Sequence, residues 1–246
     1  MSVTWHGDGA PPAPLRPKGP VGWARALGRG AMLSTVIFGL LGLVLALRLV
    51  ERPLFGLRRP WTPHVTQFVA RGIFVILGIE RRVHGQPIAG PGAMLANHAS
   101  WLDILTLNAA ARVTFVAKAE VAGWPGIGWL ARAAGTLFIR RDRGAVAAEA
   151  ARIARRLAEG RLLLLFPEGT SSDGRRVLPF RSALLAPLVE AGARGQVQPV
   201  SVIYTAPPGA DPRFYGWWGT MELAPHLLSV LAAPRQGSVE VIFHPP

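Results

Sequence analysis

The chain has 246 residues, no cysteine, and 27 lysines and arginines against 14 acidic residues, a formal net charge of +13. The lack of cysteine excludes disulfides, thiolate nucleophiles and thiolate metal ligands. A mean hydropathy of +0.29 is high for a freely soluble enzyme, and the length suits one catalytic domain with an anchor. Lys18 and Lys118 are the only lysines, so arginine carries the charge, and that balance suits anionic lipid as well as nucleic acid.

In chain order, Met1 to Pro20 is rich in proline and glycine, and residues 1–29 are expected to form a disordered basic tail. Gly30 to Leu47 is the strongest apolar run, without a charge, and is close to the ~20 residues that span a bilayer core. It starts too late for a typical signal peptide and lacks a small-residue cleavage site, so the anchor is retained. Arg25 and Arg29 precede it and Arg48, Arg52, Arg58 and Arg59 follow, so the positive-inside rule gives no single-pass orientation. Val65 to Ile79, interrupted by Arg71, reads either as a second helix lying in or dipping into the cytoplasmic leaflet or as a buried core helix. Residues 30–80 are therefore expected to form a membrane-anchoring helical region and 81–246 the catalytic domain.

Ala93 to Ala96 reads as a buried strand and Leu102 to Ala111 as a helix, which places Asn97-His98-Ala99-Ser100-Trp101-Leu102-Asp103 at the turn between them. Residues five apart on one helix diverge, so His98 and Asp103 meet only if His98 lies in the turn. With Ser100 as N-cap, Asp103 leans back toward that turn, where it can bond one imidazole nitrogen while the other faces substrate. The competing reading is a capping box, in which Asp103 only satisfies the Ser100 amide.

Further along, Gly135 opens GTLFIRRD, a strand ending in Arg140 and Arg141. Ala145 to Ala158 carries Val146, Ala150, Ile153 and Leu157 at helical spacing, and RLLLLFPEGTSSDG follows Gly160. This strand-helix-strand unit predicts neighbouring parallel strands with their C-terminal ends at one rim, bringing Arg141 and Glu168-Gly169-Thr170 together where open α/β sheets bind ligands. Gln198 to Tyr204 reads as another buried strand, Ala206 to Gly219 as a long loop, and Ser238 to Phe243 as a late strand, at an edge. Trp124, Trp129, Trp217 and Trp218 are each expected in the core rather than along an acyl groove. The six histidines are scattered without a ligand-like pair, so no metal is expected.

His98-x4-Asp103, Gly135-x-x-Phe138-Ile139-x-Arg141 and Phe166-Pro167-Glu168-Gly169-Thr170 resemble the first three motifs of the lysophospholipid acyltransferases, the family of bacterial 1-acylglycerol-3-phosphate acyltransferase. The resemblance covers roughly Val83 to Tyr204. It implies an α/β domain with a central mixed, partly parallel sheet flanked by helices, behind an N-terminal membrane-associated helical region. It also implies transfer of a fatty acyl group from acyl-CoA or acyl-carrier protein to a free hydroxyl of a lysolipid, without a cofactor. By resemblance His98 is the general base and Asp103 its partner, while Arg141, Glu168, Gly169 and Thr170 place the acceptor. The partners implied are the lysolipid, the acyl carrier and an anionic membrane surface, not nucleic acid. The location implied is the inner, cytoplasmic membrane, with the catalytic domain on the cytoplasmic side.

With neither a cysteine nor a Gly-x-Ser-x-Gly elbow, direct attack of the hydroxyl on the thioester is favoured over a covalent enzyme. Amides at the start of the helix after His98 are placed to hold the oxyanion. Two departures bear on the acceptor: Ser171 stands where the family carries Arg, and Arg140 where Asp is common. A serine does not reproduce a guanidinium's bidentate grip on phosphate, which leaves Arg175, Arg176 and Arg181 as substitutes. FPEGTSSDGRRVLPFRSALL, with FVAKAEVAGWPGIGWLAR before it and YGWWGTMELAPHL after it, most resembles the branch that acylates lyso-ornithine lipids. A lipid or thioester hydrolase, and a non-catalytic basic membrane-binding protein, are the alternatives of other classes.

Overall fold

A computed structural model describes residues 4–56, 58–124, 126–140, 143–191 and 196–246. Two helices, α1 (Gly19–Phe55) and α2 (Thr62–Leu77), precede the strand β1 (Glu80–His84). Then come β2 (Gly92–Ala96), α3 (Leu102–Ala110), β3 (Thr114–Lys118), α4 (Ile127–Ala134), β4 (Leu137–Ile139), α5 (Val146–Ala158) and β5 (Leu162–Leu165). The chain closes with α6 (Ser182–Glu190), β6 (Gln196–Thr205), α7 (Leu223–Ala232) and β7 (Ser238–Phe243).

The seven strands form one sheet in the order β1-β7-β6-β2-β5-β3-β4. Strands β2 to β6 run parallel, while β7 is antiparallel to β6 and carries β1 with it in the opposite sense. This is the mixed, partly parallel sheet expected, with two differences. β4 and β5 share a direction but are not neighbours, because β3 lies between them. β7 is interior, and β1 is the edge that the late strand was expected to be.

Alternation along the strands sorts the core into two layers. Met94, Ala96 and Leu164 face α2, α3 and α7 on one side, whereas Ala93, Leu163 and Leu165 face Ile153 of α5 and Leu188 of α6 on the other. Strands buried on both faces have to be apolar throughout, which is why Leu162–Leu165 shows no polar alternation.

Helix α1 begins at Gly19, eleven residues ahead of the expected anchor, with Pro20 in its first turn. It lies along the domain. Near its start Arg29 donates to the carbonyls of Leu231 (3.1 Å) and Ala233 (2.7 Å) at the end of α7, and Arg25 donates to Ala232. At its far end Glu51, fully buried, accepts from the amides of Trp61 (2.7 Å) and Thr62 (2.9 Å) and ion-pairs with Arg48. A carboxylate from α1 thus caps α2, a contact worth about 0.5–2 kcal/mol for an ordinary N-cap.

Helix α2 combines the two readings of Val65 to Ile79. Ala70, Ile73, Phe74 and Leu77 are in the core, while Phe68 and Val75 are 75% and 82% exposed.

Residues 4–18 form no helix or strand but are held to the domain. Asp8 pairs with Arg176, Trp5 lies 6.2 Å from Trp218, and Arg213 donates to the Ala10 carbonyl.

Candidate active site

The parallel strands deliver the turn after β2, the segment after β5 and the end of β6 to one rim, and the His98 turn is clamped there from several sides. Its amide donates to Glu168 Oε1 (2.6 Å) and its carbonyl accepts from the Ser172 amide (2.8 Å). The Ala99 carbonyl accepts from the Trp217 amide (2.8 Å), in the Ala206–Gly219 loop. Beside it Asn97 donates to the Val202 carbonyl (2.9 Å) and accepts from the Val202 amide (2.7 Å), fixing β6 against the turn.

Within that frame His98 Nδ1 lies 2.7 Å from Asp103 Oδ2. The same oxygen accepts from the amides of Ala99 (2.7 Å) and Ser100 (2.9 Å), so the dyad and the cap coexist. Asp103 is fully buried and sits in the first turn of α3, whereas the His98 side chain keeps 21% of its surface. Because Oδ2 is an acceptor, Nδ1 carries the proton and Nε2 keeps its lone pair. Among the described residues Nε2 has no hydrogen-bond partner. The imidazole stacks on Phe166, ring centroids 4.1 Å apart and 18° from parallel, which fixes its plane.

Glu168 faces inward. Its oxygens accept from the His98 amide and the Leu178 amide (2.6 Å each), so it ties the third-motif loop to the His98 turn. Burial pushes its carboxyl pKa up, against the lowering effect of those two amides. Gly169 has φ +75°, and a Cβ there would come within 3.0 Å of Arg181 and Leu184, so the loop calls for glycine. Thr170 is half-buried beside it. Arg141 lies outside the described residues.

The structure revises several of the readings here. The amides of Ala99 and Ser100 are taken by Asp103, and that of Leu102 by Ser100 Oγ at 3.3 Å, so none of these three is open to an oxyanion. Ser171 is 8% exposed, so the family's arginine position is an interior one here. Of the substitute arginines, Arg176 pairs with Asp8 and lies 3.6 Å from Asp173, while Arg181 donates Nε to the Glu168 carbonyl (3.0 Å). Trp124 and Trp129 are 45% and 65% exposed, on and beside the short α4, rather than core; Trp218 is buried. Sequence reasoning missed Tyr204, whose hydroxyl donates to Asp103 Oδ1 (2.7 Å). The available signal was a tyrosine closing a buried strand at the reactive rim.

The sheet thus presents at its C-terminal edge an oriented, partly exposed His-Asp pair whose outer imidazole nitrogen can accept a proton. A family model described as Acyltransferase matches residues 80–203, and the chain belongs to that family, among the lysophospholipid acyltransferases. It is 52% identical over 98% of its length to a lyso-ornithine lipid O-acyltransferase of Rhodobacter capsulatus, covering 88% of that protein. It is also 35% identical to a 1-acyl-sn-glycerol-3-phosphate acyltransferase of Neisseria meningitidis, over 51% of each chain. The crystal structure of the 1-acyl-sn-glycerophosphate acyltransferase of Thermotoga maritima shares the fold, with a TM-score of 0.60 over 92% of this chain and 85% of that one, at 22% identity.

Proposed function

We propose that this acyltransferase acylates the free hydroxyl of lyso-ornithine lipid, taking the acyl group from acyl-carrier protein or acyl-CoA. The observation that carries this reading is the 52% identity, sustained over 98% of the chain, to an enzyme of that name. The buried Ser171 agrees with it, because the family's arginine, which would grip a phosphomonoester, is absent.

In the reaction His98 Nε2 takes the acceptor's hydroxyl proton as that oxygen attacks the thioester carbonyl. The tetrahedral intermediate then collapses, the C–S bond breaks, and the leaving thiolate receives the proton from His98, which returns to its neutral tautomer. Asp103 holds the imidazolium between the two transfers. Glu168 and Gly169 shape the loop that carries the acceptor, and Arg141, Thr170 and Arg181 take the ornithine headgroup, whose carboxylate suits a guanidinium. No metal or cofactor takes part.

The test is a panel assay of purified protein with lyso-ornithine lipid, lysophosphatidic acid and other lysophospholipids, each with both acyl carriers. Lyso-ornithine lipid is expected to give the highest kcat/KM. Turnover of lysophosphatidic acid alone would make the enzyme a phosphatidic acid synthase, and acyl release without any acceptor would make it a hydrolase.

What supports the domain division and a membrane location is α1, which is long and apolar enough to cross a membrane, its most apolar 18 residues having a mean hydropathy of 2.3 and being largely exposed. Its bonds to the domain at both ends favour a helix lying in the cytoplasmic leaflet of the inner membrane, with the acyltransferase domain on the cytoplasmic side. The arginines beside it meet anionic headgroups. Apolar burial is insensitive to salt, so the protein is expected to stay with sedimented membranes in high salt and to leave them in detergent. Full release by salt alone would reduce the anchor to an electrostatic one.

A further inference from the structure

Tyr204, near the end of β6, is half-buried, and its hydroxyl has two polar neighbours: Asp103 Oδ1 at 2.7 Å and Thr106 Oγ1 at 3.1 Å. The direction of each bond can be assigned. Asp103 only accepts, so Tyr204 spends its single proton there, and Thr106 must donate to Tyr204. Thr106 is fully buried on α3, one turn beyond Asp103. The result is an ordered relay, Thr106 to Tyr204 to Asp103, with His98 Nδ1 and the Ala99 and Ser100 amides on the carboxylate's other oxygen. The strand that carries Tyr204 is held to the His98 turn by the paired Asn97–Val202 bonds, two residues before Tyr204 and one before His98. Burial and the Asp103 charge push the phenol's pKa well above its ordinary value, so it remains a donor.

We propose that Tyr204 is a positioning residue for acyl transfer, its hydroxyl setting the rotation of the Asp103 carboxylate and so the aim and basicity of the His98 imidazole. The proposal rests on the reading of His98 as base. A carboxylate held at one oxygen alone can swing about its Cβ–Cγ bond, and His98 Nε2 at the far end of the imidazole would swing with it. The second bond removes that freedom. It also withdraws charge from the carboxylate, which tempers how strongly Asp103 stabilises the imidazolium. The titratable groups facing this relay are His98 and Asp103 themselves, Glu168 behind the His98 amide, and Tyr215, whose ring lies 5.6 Å from that of Tyr204.

The test compares Tyr204→Phe with Thr106→Val in steady-state acyl transfer. The lost aim of the imidazole, offset only in part by the stronger Asp103 charge, predicts a fall in kcat of about 10- to 100-fold for Tyr204→Phe, with KM for both substrates unchanged. With the donor gone Asp103 is more basic and the imidazolium persists to higher pH, so the acid limb of the kcat/KM profile moves up by roughly half a unit to one unit. Thr106→Val, which removes only the group orienting the phenol, is expected to show the same signs at smaller size, and it carries the test if Tyr204→Phe does not fold. In a His98→Ala background Tyr204→Phe should add no further loss, because its effect runs through that imidazole. A folded Tyr204→Phe enzyme with wild-type kcat and an unshifted acid limb, or full additivity with His98→Ala, would overturn the proposal and leave Tyr204 as core packing. Wild-type turnover in His98→Ala would instead remove the reading on which it stands.

Discussion

His98→Ala is expected to lose about 10²–10⁴-fold in kcat while KM for acceptor and donor stays near the wild-type value, the loss typical of a missing general base. The geometry argues that this is a catalytic loss and not a folding one. The bonds that hold the turn through residue 98 use its main chain: the amide donates to Glu168 and the carbonyl accepts from Ser172, and both survive the substitution. The imidazole itself keeps 21% of its surface and contributes a stack on Phe166 and one bond to Asp103. The ring's removal leaves Asp103 Oδ2 with two amide donors. Thermal unfolding measured beside the steady-state kinetics separates the two effects. Wild-type turnover by a folded His98→Ala protein would remove the general-base mechanism altogether.

The His98–Asp103 contact at this rim was legible because it is local in sequence. His98 and Asp103 are five apart across a strand-to-helix turn, and helical lean alone brings the carboxylate back to the imidazole. The period of α5 and the unbroken leucines of β5 were equally plain. Non-local matters were not. No local pattern reveals that β3 inserts between β4 and β5, since chain order and sheet order differ. Tyr204 reaches Asp103 from 101 residues away because β6 is laid against β2, and a propensity reading shows only the end of a strand. Burial at a single position was also hidden. Ser171 lies inside although nothing in its loop marks it as buried, while Trp124 and Trp129 read as core and are exposed. The contacts of residues 4–18 were hidden for a related reason: proline-rich composition describes the free chain, whereas the Asp8 and Trp5 contacts depend on where Arg176 and Trp218 fall in the fold.

Asp103→Asn is expected to keep the fold and lose about 10²-fold in kcat, and the site's hydrogen bonds dictate both parts. The turn presents three donors to Oδ2: His98 Nδ1, the Ala99 amide and the Ser100 amide. An asparagine can meet them only with its carbonyl oxygen, because its NH2 there would face other donors. The NH2 then falls opposite Tyr204, whose hydroxyl becomes the acceptor and turns its proton to Thr106. Every buried polar group keeps a partner, so the fold is retained, and His98 keeps its tautomer. What is lost is the negative charge that stabilises the imidazolium, which is why the fall is smaller than when the tautomer is also reversed. Asp103→Ala should behave differently. It leaves the Ala99 and Ser100 amides buried without acceptors, at about 1–3 kcal/mol each, and its melting temperature should drop with its activity. Measuring kcat and thermal unfolding for both variants decides between base partner and cap. An Asp103→Asn protein that melts early yet turns over at the wild-type rate per folded molecule would mean that Asp103 serves the helix alone.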